Sequence, residues 1–171
     1  MCAKKIIMVT GGQRSGKSEF AERAALHLSP TPVYLATAQP LDDEFRHRVK
    51  LHQLRRGPEW TNIEEQLYPA AHELSSRTVL VDCVTMWATN IFFHCDEDID
   101  RSLEMFRNEF DRLIAIDATF IFVTNEIGLG GTSENAMQRR FTDLLGFVNR
   151  HVAQHADDVH FLISGIDLKI K

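Results

Sequence analysis

Near the N-terminus, Val9-Thr10-Gly11-Gly12-Gln13-Arg14-Ser15-Gly16-Lys17-Ser18 carries the residue types of a phosphate cradle. Gly11, Gly16, Lys17 and Ser18 satisfy G-x-x-x-x-G-K-[ST], the P-loop spacing. Glycines without Cβ atoms let the backbone wrap closely around an anion. The amides of Gly12, Gln13, Arg14 and Ser15 and of the helix that follows would point at that anion. Lys17 would reach the β- and γ-phosphates and Ser18 would hold Mg²⁺. A nucleoside triphosphate is the expected ligand.

Asp82 ends the apolar run Thr78-Val79-Leu80-Val81. A carboxylate at the C-terminal tip of a parallel strand faces the ligand crevice, where it would share the Mg²⁺ shell with Ser18. The alternative is an Asp that caps the next helix. Asp42-Asp43-Glu44 open an expected helix on which Phe45, Val49 and His52 share a face, with Arg48, Gln53, Arg55 and Arg56 nearby. The triplet also suits the positive end of a helix dipole. His52 reads two ways. It is a packed structural histidine, or a neutral imidazole that attacks phosphorus while the arginines hold phosphate oxygens. Thr124-Asn125-Glu126-Ile127-Gly128-Leu129-Gly130 follows another apolar run and is either a crevice loop or a plain connection; it lacks the N-K-x-D pattern of guanine recognition.

The elements that would position these residues follow from periodicity. Apolar runs at Ile6–Val9, Val33–Ala36, Val79–Val81, Phe120–Val123 and Val159–Ile163 predict strands buried on both faces. Helices are expected at Lys17–Leu28, Asp42–Leu54, Glu65–Leu74, Asp98–Ile116 and Glu134–His155, the last capped by Thr132 or Ser133. The alternation predicts an α/β fold of the P-loop NTPase type, a mostly parallel sheet flanked by helices, in a single domain over residues 1–171. The apolar cluster of Met86-Trp87 and Ile91-Phe92-Phe93 reads as core, a subunit contact or the lining of an apolar ligand site, and Cys95–Arg101 as an acidic surface loop.

A net charge of −5 without a basic block argues against nucleic acid as a partner. Three scattered cysteines without C-x-x-C spacing suit a reducing cytosol rather than a disulfide frame. No run is long enough to span a bilayer and no signal peptide is read, so a cytoplasmic location is expected.

Beyond the P-loop, further segments follow in order: Tyr34-Leu35-Ala36-Thr37-Ala38, Asp42-Asp43-Glu44, Arg48-Val49 with His52, Trp60-Thr61 before Glu64-Glu65, Asp82-Cys83-Val84-Thr85 with Thr89-Asn90, and Thr124-Asn125-Glu126-Ile127-Gly128. The tail adds Arg140-Phe141-Thr142-Asp143, Gly146, Asn149, Ala156-Asp157, Ser164-Gly165 and Lys169. Together they resemble the bifunctional adenosylcobinamide kinase/adenosylcobinamide-phosphate guanylyltransferase family over nearly the whole chain. Gly131-Thr132-Ser133 departs from the Val-Pro type sequence common there.

The resemblance implies two reactions of cobalamin assembly. Adenosylcobinamide takes a phosphoryl group from ATP or GTP, and GMP from GTP is then joined to that phosphate with release of pyrophosphate. It implies a guanylylated histidine at the position of His52. It also implies nucleoside contacts from Ala36, Thr37, Ala38, Gln53, Leu54, Arg55, Arg56, Glu64 and Asp82, and a homo-oligomer, a trimer. A simple P-loop kinase would have no use for His52, and a nucleotide-dependent switch would have no acceptor.

Overall fold

The structure, a computed structural model, describes residues 4–38 and 57–171. Seven strands build one sheet: β1 (Ile6–Gly11), β2 (Val33–Ala36), β3 (Thr61–Glu64), β4 (Thr78–Asp82), β5 (Thr119–Val123), β6 (Asp158–Ile163) and β7 (Ile166–Lys169). Their spatial order is β3-β2-β4-β5-β1-β6-β7, and only the β6–β7 pair is antiparallel. Four helices are described: α1 (Lys17–Leu28), α2 (Val84–His94), α3 (Ile99–Ala115) and α4 (Ala136–His155).

Alternation along the strands divides the core. Ile6, Met8, Val33, Leu35, Val79, Val81, Phe120 and Phe122 pack with residues of α2, α3 and α4. Ile7, Val9, Tyr34, Leu80, Ile121 and Val123 face the other way, with Ala21 and Ala25 of α1 and with Trp60. The small alanines let α1 lie close on the sheet. Each large apolar side chain buried here is worth about 1.5–3 kcal/mol.

The expected sheet and helix α1 are found, and the expected Asp42–Leu54 helix lies outside the described residues. Elsewhere the structure corrects the sequence reading. The expected helix at Glu65–Leu74 is absent, and only a short 3₁₀ turn, Pro69–Ala71, forms there. The Glu65 carboxylate accepts from the amides of Leu67 (2.9 Å) and Tyr68 (3.0 Å), which ties the chain into a turn before Pro69. Asn135, not Thr132 or Ser133, caps α4 by accepting from the Gln138 amide at 3.1 Å. Cys95–Arg101 is no free loop: Cys95 is buried, Asp98 caps α3, and Arg101 already belongs to that helix. Met86–Phe93 lies within α2, whose Trp87, Ile91 and Phe92 are core, while Phe93 is exposed.

Candidate active site

Strands β1 to β5 are parallel, so their C-terminal ends share one edge. Register aligns them: Glu64 pairs with Ala36, Ala36 with Asp82, and Asp82 with Val123. With strands ~4.8 Å apart, the row from Glu64 to Gly11 spans about 19 Å. The sequence-predicted residues Gly11, Ala36, Thr37, Ala38, Glu64 and Asp82 therefore stand along one rim.

At one end of the rim is the phosphate cradle. Gly11 closes β1 at φ +151°, and a Cβ there would lie 2.4 Å from the Leu162 carbonyl oxygen. Gly16 takes the left-handed conformation at φ +92° as the N-cap of α1, with no side chain capping the helix. The first amides of α1 thus stay open to an anion. The β6–β7 turn supports the loop from below, where the Gly165 amide donates to the Ser15 carbonyl at 3.0 Å. Gly12, Gln13 and Arg14 are exposed, Ser18 is half-buried, and Ser15 is buried.

Lys17 is buried, and its ammonium donates to the Gly12 carbonyl beside Ser15 Oγ. Burial pushes its pKa down, while the Asp82 carboxylate across the crevice pulls it back up in part. A lysine folded onto its own loop is poised to exchange a carbonyl for phosphate oxygens. The Cys83 thiol is pushed up to about 12, first by burial and then by Asp82, which keeps it neutral.

Asp82 does not cap α2. The N-cap is Cys83, without a side-chain cap bond, and Asp82 Oδ2 accepts from the Tyr34 hydroxyl at 2.7 Å. Ser18 and Asp82 are hard oxygen donors with a single carboxylate, a set that suits Mg²⁺ held largely by substrate phosphates.

Two struts were not legible from the sequence. Thr37 is fully buried, and its hydroxyl donates to the Cys83 carbonyl (2.7 Å) and accepts from the Cys83 amide (2.9 Å). Its own amide donates to the Asp82 carbonyl, and its carbonyl accepts from Asn90 Nδ2 at 2.8 Å. Thr37 thus locks the tip of β2 to that of β4. The second strut holds the loop after β5: Thr124 donates to Asn149 Oδ1 (2.7 Å), Asn149 Nδ2 donates to the Asn125 carbonyl (3.1 Å), and the Asn125 amide donates to Thr85 Oγ1 (2.8 Å). Glu126 closes the loop onto the cradle through its amide and the Gly11 carbonyl at 3.0 Å. The family motifs mark Thr85, Asn90 and Asn149, yet only the fold shows what they tie together.

His52, Gln53, Leu54, Arg55 and Arg56 lie outside the described residues, as do Asp42, Asp43, Glu44 and Arg48. Ala38, the last described residue before them, stands two positions past the end of β2.

A parallel sheet with an anion-binding loop between β1 and α1, and an aspartate at the tip of a second strand, defines a P-loop nucleotide-binding protein. Solved structures agree on the fold. A type III secretion ATPase from pathogenic bacteria superposes with a TM-score of 0.56 at 11% identity, over 93% of this chain and 51% of that one. This chain therefore spans about half of that ATPase. A Pyrococcus horikoshii protein gives a TM-score of 0.54 at 10% identity, over 100% of this chain and 88% of the other.

Sequence narrows the class. Residues 7–170 match the cobinamide kinase / cobinamide phosphate guanyltransferase family. The chain is 38% identical over 181 residues to the bifunctional adenosylcobalamin biosynthesis protein CobU of Escherichia coli, covering 97% of this chain and 99% of that one. It is 35% identical over 170 residues to CobP of Pseudomonas aeruginosa, covering 96% of each. The chain belongs to this family and is a bifunctional cobinamide kinase and cobinamide-phosphate guanylyltransferase of adenosylcobalamin biosynthesis. Among the described residues, no helix is long and apolar enough to cross a membrane.

Proposed function

We propose that one crevice serves both reactions and that the second proceeds through a covalent guanylyl group on His52. The observation that carries this reading is the rim itself. Register lines up Glu64, Ala36 and Asp82 toward the cradle, and the Lys17 ammonium feels Asp82 across the gap.

In the first reaction, ATP or GTP lies with its phosphates in the loop Gly11-Gly12-Gln13-Arg14-Ser15-Gly16-Lys17-Ser18. The hydroxyl of adenosylcobinamide attacks the γ-phosphorus, and the bond to the nucleoside diphosphate breaks. Loop amides and Lys17 hold the charge that moves onto the departing oxygen. Ser18 and Asp82 would hold Mg²⁺, which when bound neutralises phosphate charge.

In the second reaction, an imidazole nitrogen of His52 attacks the α-phosphorus of GTP, and the bond to pyrophosphate breaks. The cobinamide phosphate oxygen then attacks that phosphorus, the P–N bond breaks, and the imidazole is freed. Splitting the transfer lets each half be an in-line displacement at a held phosphorus. Ala36, Ala38, Gln53, Leu54, Arg55, Arg56 and Glu64 would contact the nucleoside. Thr37 contributes through the backbone tips that it anchors. We place the enzyme in the cytoplasm as a homotrimer. Ile163, Ile166, Leu168 and Ile170 on and beside the edge strand β7 are exposed apolar side chains that a partner copy could cover, and sedimentation reads the mass directly.

The covalent step is tested with α-labelled GTP and Mg²⁺. The denatured wild-type protein should hold acid-labile, alkali-stable label. His52→Ala should hold none and lose guanylyl transfer while keeping phosphorylation. An unlabelled wild type, or full label on His52→Ala, contradicts the assignment.

A further inference from the structure

The end of the molecule opposite the crevice carries a second set of donors that neither reaction uses. Asp111 on α3 and His151 and His155 on α4 each bring one donor atom to within 4.8 Å of the other two. We propose that these three residues form a binding site for a borderline divalent transition ion, of the Zn²⁺, Co²⁺ or Ni²⁺ kind, that staples α3 to α4.

The two histidines are four residues apart near the end of one helix, so they share a face. Both rings lie edge-on to Phe110, with centroids at 5.3 and 5.7 Å, which limits their rotation. His155 Nδ1 lies 2.9 Å from the His151 carbonyl oxygen. A carbonyl only accepts, so Nδ1 carries the proton and Nε2 keeps its lone pair for a ligand bond. Backbone orientation of this kind is what metal-ligating histidines use.

His151 Nε2 sits 3.0 Å from Asp111 Oδ1. Two ligands on a tetrahedral ion with ~2.0–2.1 Å bonds are about 3.3 Å apart. An ion can therefore take the place of the proton between those two atoms with little movement, with His155, already within 4.8 Å of both, as third ligand. Solvent would complete the shell, since the Asp111 side chain is 55% exposed and that of His151 12%.

The surrounding field favours a cation. The site lies at the C-terminal turns of both α3 and α4, where helix dipoles present their negative ends. Lys171 places its ammonium on the Ala153 and Gln154 carbonyls at the same helix end, a positive charge that offsets part of this field. Two imidazoles and one carboxylate match Zn²⁺, Co²⁺ or Ni²⁺, whereas Mg²⁺ prefers oxygen and stays with the phosphates. A direct hydrogen bond between His151 and Asp111 is the competing use of the same geometry.

The test is a calorimetric titration of metal-stripped full-length protein with Zn²⁺ in excess Mg²⁺, alongside thermal unfolding. The wild type should bind one ion per chain and melt higher with Zn²⁺. His155→Gln and Asp111→Asn should each weaken binding at least tenfold and lose the shift in melting, with both transferase activities unchanged. Absent binding, or equal binding in wild type and both variants, overturns the proposal. So does a melting temperature that ignores Zn²⁺.

Discussion

The two ends of the crevice rim are built differently. The cradle end is specified by neighbours in sequence: Gly11 and Gly16 set the turn, Lys17 follows, and α1 supplies amides within the same stretch. The β2–β4 end depends on partners far apart in the chain. Thr37 reaches Cys83 across 46 positions, and Asn90 reaches Thr37 across 53. An anion cradle can be carried by a local motif, whereas the shape of the β2–β4 end exists only once the sheet has assembled.

Thr37→Val keeps the shape but leaves the Cys83 amide and carbonyl without the hydroxyl. The loss should be about 1–3 kcal/mol of stability. Urea unfolding should show a lower midpoint, and KM for the triphosphate should rise more than kcat falls. A variant with unchanged midpoint and KM would show that the strut does not shape the site.

A smaller effect is expected at the sheet edge away from the rim. Asp158 at the start of β6 is held down at about 2 by hydrogen bonds from Lys169 and Lys5, with their charges adding to the effect. Its unfolded value is about 3.9. A depressed carboxylate stabilises the fold fully above the unfolded value and loses that contribution as pH falls through about 2. Lys169→Met should therefore flatten the loss of stability between about pH 4 and 2. The pair is partly exposed, so the change should be below about 1 kcal/mol. An identical acid limb in variant and wild type would remove Asp158 from the account.

Legibility in the sequence follows the same division. The strands β1, β2, β4 and β5 are continuous apolar runs that periodicity alone finds, while β6 is broken by His160 and is only partly buried. Helix α2 escapes because Val84-Thr85-Met86-Trp87 and Ile91-Phe92-Phe93 are apolar on nearly every side and rich in poor helix formers. Strand β3, Thr61–Glu64, escapes because a largely exposed edge strand has no apolar run. The Glu65–Leu74 pattern looks helical until the Glu65 side chain captures its own downstream amides. Burial pushes that carboxyl up, but the amides of Tyr68 and Leu67, with His72, pull it below the usual carboxylate range. In the site, the cradle was readable residue by residue, while Thr37, Asn149 and the Gly165 support acquire their roles only through the fold.

If one phosphate cradle serves both chemical steps, Lys17→Ala must disable both. Phosphorylation of cobinamide and guanylyl transfer to cobinamide phosphate should be measured in that variant beside the wild type. Both kcat/KM values should fall together, by roughly 10²-fold or more, as removal of a charge-stabilising donor implies. A variant that keeps either reaction near the wild-type rate would contradict the shared cradle.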